Sequence, residues 1–322
     1  MIITAYRNIY RLREKWNRLY RVSDKITNPF QSFIPNRIYF DVFRLNLHRL
    51  LLRPLFIYAN DGASEVLFPI VVDKRNKRIT EYAPLDYYDV LCSGPVNLIP
   101  PVLEWIKCRF PGYVLRFSRI NQIAVLATTA NLHQVQAEKC AQIPLGDKYE
   151  AYYQSLSKHQ RQNLRTAYNK LEKENISYSL SRYEKGALPR SLKNKCLTLY
   201  ERRKATKSFP SHGLKRIYAR ITKPVFKIMS EMDSGVFYVL YLKETPAAVL
   251  VGAFSKENEQ FVVPILYSNN EYLRYSPGVL LINEVIKTFI KENVKVLDLA
   301  RGDEAYKYAM GGITHYNYTL TD

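Results

Sequence analysis

Metal-binding side chains are scarce in this chain, and the few present are scattered. The four cysteines are Cys92, Cys108, Cys140 and Cys196, with no CxxC pair among them. That excludes a zinc ribbon and a thioredoxin-like motif. They read as buried, reduced cysteines of a cytoplasmic protein. The five histidines (His48, His133, His159, His212, His315) make no HExxH or HxH, so no metal site is expected. Long apolar runs are missing too. The longest, near Ala247–Phe254, falls far short of the ~18 residues that cross a bilayer. The N-terminus, MIITAYRNIYRLREKW, gains charge too early for a signal peptide. The expected location is the cytoplasm, with peripheral contact at the inner membrane surface as the alternative. Acidic residues are also few: 29 Asp and Glu against 48 Lys and Arg, a net charge of +19. Such a field favours anionic partners, whether nucleic acid, anionic lipid or a phosphorylated small molecule. No RNP, zinc-finger or homeodomain-like signature supports a generic nucleic-acid binder.

What is present is a globular composition, 47% hydrophobic and 24% charged over 322 residues, long enough for two domains. Ile9, Leu12, Trp16 and Leu19 recur at helical spacing and predict a basic amphipathic helix over 8–21, its apolar stripe packed on the core. A turn at 27–32 precedes a second helix, 32–52. Strands are expected at 54–58, 65–72, 78–82, 90–92, 113–117, 122–126 and 137–143, with a helix over 100–109. A second unit starts near Asp147. It holds helices at 148–155, 157–174, 187–203 and 213–231 and a strand at 176–181. An antiparallel run follows at 235–243, 247–254 and 260–267, then a helix (277–292), a strand (295–299), a short helix (303–310) and a strand (314–320). The fold class is α/β (α+β), divided into residues 1–146 and 147–322.

Four stretches hold groups that suit chemistry. In YLRYSPGVLLINEVIKTFI, Ser276 is placed to cap a helix and Pro277 to begin it. Gly278 admits close approach to the backbone, and Arg274 lies just before, so the amides here suit a phosphate or pyrophosphate. In VLDLARGDEAYKYAMGG, an apolar strand ends at Asp298, and Arg301, Asp303, Glu304, Tyr306 and Lys307 crowd the turn behind it. Glu304 suits a general base there, and Tyr306 or Tyr308 a general acid. In the helix from Ser157, Lys158, Arg161 and Arg165 share a face fit for an acidic or phosphate-rich partner. In QFVVPILYS, Pro264 cannot donate to a ladder, so this strand should part from a neighbour or lie at an edge.

Together SLSKHQRQNLRTAYNKLEKE (155–174), YSPGVLL (275–281) and LDLARGDEAYK (297–307) resemble the GNAT acyltransferase superfamily. They resemble more closely its FemAB/CelD-like branch, whose members carry two fused GNAT-like domains. WNRLY (16–20) and NPFQS (28–32) resemble the start of that branch's first domain. The resemblance implies two tandem domains, each a mixed, mostly antiparallel sheet flanked by helices. The first would be degenerate and acceptor-binding or merely supporting, the second catalytic. It implies acetyl-CoA or another acyl-CoA as donor, its pyrophosphate on Ser276, Gly278 and Val279 beside Arg274. The pantetheine would pass between the strand around Val263 and Tyr267 and the strand 296–299. Asp298, Glu304, Tyr306, Lys307 and Tyr308 would serve catalysis. Lys158, Arg161, Arg165, Arg301 and Asp303 would meet an anionic small-molecule or lipid-linked acceptor from sugar, polysaccharide or cell-envelope synthesis. The strict Q/RxxGxG/A loop is absent, and RYSPGV stands in its place. Two rivals remain. One is Fem-type transfer from aminoacyl-tRNA, which the charge favours and the absence of an inserted helical arm disfavours. The other is a non-catalytic basic binding protein with the same fold.

Overall fold

Trp16 shows how the first elements form. It lies with Leu19 on one side of α1 (Arg13–Val22), fully buried, while Arg13, Arg18 and Arg21 stay in water. Its indole N–H donates to the Gln31 carbonyl at 2.7 Å, so the buried ring leaves no donor unpaired. The computed structural model describes residues 1–23, 28–44, 51–82, 85–94, 98–121, 132–205 and 224–322. The chain divides into two compact units, Met1–Lys139 with Tyr316–Asp322, and Cys140–His315.

In the first unit, β1 (Ile2–Tyr6) leads through a 3-10 turn (Ile9–Leu12) into α1, and a second such turn (Pro29–Gln31) leads into α2 (Phe33–Arg44). There follow β2 (Leu52–Asn60), β3 (Glu65–Asp73), β4 (Arg78–Glu81), β5 (Leu91–Ser93), α3 (Ile99–Arg109) and β6 (Val114–Ile120). β7 (His133–Pro144) begins in this unit and ends in the second, and β13 (Ile313–Thr321) does the reverse. The sheet runs β1-β2-β3-β4-β6-β13, antiparallel except where β4 meets β6. Both faces of β2 are covered. Phe56 and Tyr58 pack with Trp16, Phe33 and Phe40, and Ile57 and Ala59 with Phe68, Val102 and Ile106. The strand at Leu52 replaces the expected end of the second helix, because its register with Asp73 pulls this apolar segment into the sheet. β1 was not legible as a strand. The expected strand at 122–126 lies outside the described residues.

The second unit carries α4 (Tyr149–Ser155), α5 (Lys158–Lys173), β8 (Tyr178–Tyr183), α6 (Arg190–Ala205) and α7 (224–231). Then come β9 (Gly235–Leu242), β10 (Thr245–Phe254), β11 (Gln260–Ser268), a 3-10 turn (Asn270–Tyr275), α8 (Pro277–Lys291), β12 (Val296–Arg301) and α9 (Ala305–Ala309). The sheet order is β7-β12-β11-β10-β9-β8, with only β11 and β12 parallel. In its core Phe254 meets Phe261 and Phe289 edge to face, and Phe261 and Phe289 are tilted against each other. Of the expected helix over 213–231, residues 213–223 lie outside the described residues.

Two expectations are corrected. The boundary falls at 139/140 rather than 146/147, and the last seven residues return to the first unit, because β6 supplies their backbone partners. Cys140 and Cys196 are buried, but Cys92 is partly exposed and Cys108 exposed, on the solvent side of α3. Among the described residues, no helix is long and apolar enough to cross a membrane.

Candidate active site

Pro264 opens the site. β11 and β12 pair in parallel only from Gln260↔Val296 to Val262↔Asp298. Beyond that point β11 stays with β10 but shifts register. Ala253 faces Val262 and Val251 faces Ile265, so Val263 and Pro264 together oppose Gly252. This is a β-bulge, where a residue without an N–H is tolerated. It also exchanges the faces of the strand. Phe261 and Val263 point into the core, and beyond the bulge Leu266 takes that side. Leu266 and Ser268 line a cavity of about 360 Å³, closed by Asn270, Leu273, Ser276, Pro277, Gly278, Val279 and Tyr306.

The start of α8 forms one wall. Ser276 takes the expected N-cap position with Pro277 first in the helix, but it is left-handed (φ 53°, ψ 50°) and its side chain makes no capping bond. Its carbonyl accepts from Val279 N (3.0 Å) and Leu280 N (3.1 Å). Among the described residues the Gly278 N–H has no such partner. A Cβ on Gly278 would stand 2.7 Å from Ser268 Oγ, so glycine lets helix and strand meet here.

The end of β12 forms another. Asp298 is fully buried. One carboxylate oxygen accepts from Gln142 Nε2 (2.9 Å) and Gln260 Nε2 (2.8 Å), and the other accepts from Ala300 N (2.7 Å). Ala300 is left-handed (φ 53°), and β12 shifts register against β7 between Asp298 and Arg301. Lys307 is 3% exposed, and its ammonium lies inside the turn. It donates to the carbonyls of Ala300 (3.3 Å), Arg301 (2.9 Å) and Gly302 (3.4 Å) and pairs with Glu304 at 3.1 Å. Asp298 and Lys307 thus fasten the turn from its two sides, and Tyr306, one residue before Lys307, reaches the cavity.

The expected site residues separate accordingly. Ser276, Gly278, Val279 and Tyr306 come together around the cavity. Val263 faces the core, and the bulge turns Tyr267 to the other side of the sheet, where its hydroxyl meets Cys196 and burial pushes its pKa well up. Arg274 folds onto α5, with a guanidinium nitrogen 2.8 Å from Glu174 and its plane over the Tyr275 ring. Tyr275 donates to the same carboxylate. Arg161 donates to the Gln154 (2.8 Å) and Leu156 (2.5 Å) carbonyls and ties off α4, while Lys158 and Arg165 are exposed. Asp303 and Glu304 are exposed, and Arg301, Tyr306 and Tyr308 are partly buried. Gln142, Gln260, Leu266 and Ser268 were missed, since only strand register brings the two glutamines to Asp298. Among the described residues no group of three or more His, Cys, Asp or Glu gathers.

Residues 158–308 match the family model described as acetyltransferase (GNAT) domain. Among solved structures, FemX is similar over 99% of this chain and 97% of its own, at 9% identity and a TM-score of 0.62. L-PGS from Bacillus licheniformis covers 95% and 90% at 12% identity and 0.58. A tandem GNAT protein from the clavulanic acid biosynthesis pathway covers 100% and 98% at 9% and 0.50. At these identities the likeness is one of fold. No curated protein matches by sequence. The parted strands, the cavity at the start of α8 and the family match fall on one stretch: residues 158–308 match a GNAT acetyltransferase domain, in a chain whose two-unit fold is similar to those of FemX and the tandem GNAT protein.

Proposed function

We propose that the chain is an N-acyltransferase. It would take an acyl group from acyl-CoA, acetyl-CoA in the simplest case, and pass it to an amino group of a sugar or cell-envelope precursor. The observation that carries the donor half is the parting of β11 from β12 after Val262 and Asp298, which opens the cavity beside α8. The donor supplies, when bound, a thioester carbonyl open to attack by a neutral amine, with a thiol as leaving group. The Gly278 amide and the positive end of the 15-residue α8 suit its phosphates. Leu266, Leu273 and Val279 give the cavity apolar walls. Tyr306 is the phenol in the cavity and serves as general acid toward the leaving sulfur, with Tyr308 two residues on as the alternative. Glu304, 54% exposed at the mouth of the turn, serves as base for the incoming ammonium. Asp298 and Lys307 hold the turn rather than touch the reacting atoms. The charge of +19, with Lys158 and Arg165 exposed, supports an anionic acceptor.

Thermal stabilisation tests the donor. A ligand at 100 times its dissociation constant adds about 2.7 kcal/mol, a clear melting shift. Acetyl-CoA and CoA should both produce it. Gly278→Leu, which fills the cavity, should remove it, and Arg274→Ala should weaken it if the guanidinium leaves Glu174 for the ligand. Tyr306→Phe should keep the shift and lose turnover. No shift with either compound overturns the reading. The same charge favours a second one, in which aminoacyl-tRNA is the donor. A shift with charged tRNA and none with CoA would select it.

A further inference from the structure

No charged side chain lines the donor cavity. Two cations stand next to its lining residues in the chain. Lys307 is committed inside its own turn, to three carbonyls and Glu304. Arg274 follows Leu273 directly and lies two residues before Ser276, yet its guanidinium is held elsewhere. It donates to Glu174 at 2.8 Å and to the Tyr275 hydroxyl, and its central carbon lies 4.6 Å from the centre of the Tyr275 ring. The Lys170 ammonium donates to the Arg274 carbonyl at 3.4 Å, so α5 holds this residue by its backbone as well.

The helix alone does not call for a carboxylate at this place. Glu174 caps the C-terminal end of α5, where the helix presents its negative pole and favours cations. Lys170 and Lys173 in the last turn follow that preference, and Glu174 goes against it. Its position is nevertheless preset. Tyr275 is 2% exposed, and its hydroxyl donates to the same carboxylate oxygen at 2.5 Å. The ion pair itself lies in water, with the Arg274 side chain 67% exposed and that of Glu174 39%. A pair of this kind holds weakly. It biases the arginine without locking it, and phosphate oxygens offer the guanidinium paired acceptors in return.

We infer that Glu174 is a brake on the donor site: it keeps Arg274 off the mouth of the cavity, and the guanidinium leaves it for the phosphates when CoA binds. The inference rests on the acyl-CoA reading and adds a regulating residue to it. The two states differ by rotation within one side chain. No backbone need move, because Leu273 and Ser276 on either side of Arg274 already line the cavity. While Glu174 holds the arginine, only a fraction of the molecules present the complete site, and the apparent donor affinity falls by that fraction.

Titration calorimetry of the full chain with CoA, in about 50 mM salt where screening is modest, tests the brake. Glu174→Gln keeps an acceptor for Tyr275 and removes the charge, and it should tighten CoA binding about two- to fivefold. Arg274→Ala should weaken CoA binding, and adding Glu174→Gln to it should change nothing more. Melting curves check that each variant stays folded, and Glu174→Ala repeats the test if the glutamine variant melts early. A gain from Glu174→Gln that survives in Arg274→Ala means that the carboxylate repels the phosphates directly, and it overturns the brake. Unchanged affinity in Glu174→Gln, with wild type binding CoA, also overturns it and leaves the donor reading standing. Binding by Glu174→Gln alone upholds both. No binding by either protein overturns the donor reading and the brake with it.

Discussion

Gly252 has no room for a methyl group. A Cβ there would stand 2.3 Å from the Val262 carbonyl oxygen and 2.5 Å from the Phe261 ring, because two residues of β11 crowd opposite it. The carbonyl belongs to the strand that opens the cavity, so relief requires moving backbone. Gly252→Ala should cost about 1–3 kcal/mol in urea unfolding. It should also lower acetyl-CoA affinity, which calorimetry would read. Glu81 gives a prediction in pH. Burial raises its carboxyl above the usual range, against the hydrogen bond it accepts from Ser118 N at 2.8 Å. The native chain therefore holds this proton at pH values where the unfolded chain has released it, and stability falls as pH rises through that window. Glu81→Gln keeps an acceptor for Ser118. Its stability should exceed that of wild type above the window, and the gain should vanish below the ordinary carboxylate range.

At the scale of elements, the turn after β12 depends on two buried charges of opposite sign that do not touch each other in any hydrogen bond described. Lys307→Met would leave three carbonyls without their shared donor and should cost about 1–3 kcal/mol, measured by chemical unfolding. Asp298→Asn presents an NH2 group to N–H donors whichever way it turns, since Ala300 N is on one side and two glutamine amides on the other. It should destabilise as well, although it changes only one atom. These charges mark how far the sequence could be read. Pro264 announced the parting of strands, because its missing N–H is a local fact. YSPGV announced a helix start for the same reason. The direction of Tyr267 depends on a bulge, which exchanges the faces of a strand without altering its composition. The partners of Asp298 lie 156 and 38 residues away, and only register selects them. Arg274 looked available because sequence spacing does not reveal that Glu174 lies beside it. The burial of Lys307 was not legible either, because a lysine in a polar turn is ordinarily in water.

At the scale of the molecule, the two units are not consecutive stretches of chain. Residues 316–322 complete the first unit. Tyr318 pairs with Ile120, Leu320 is 2% exposed in that unit's core, and the Asp322 carboxylate accepts from Leu115 N at 2.8 Å. Removing residues 316–322 should strip hydrogen-exchange protection from β6 and leave β9 to β11 of the second unit protected, as mass spectrometry would show. The same arrangement sets an order of events during synthesis. Domains ordinarily fold as they leave the ribosome, the N-terminal one first. Here the strand that closes the first sheet is translated after nearly all of the second unit, so β6 waits with an open edge while more than a hundred and fifty residues are added. The earlier-made unit is the later one to be sealed, and during that interval its exposed edge is the part of the nascent chain that most needs a chaperone.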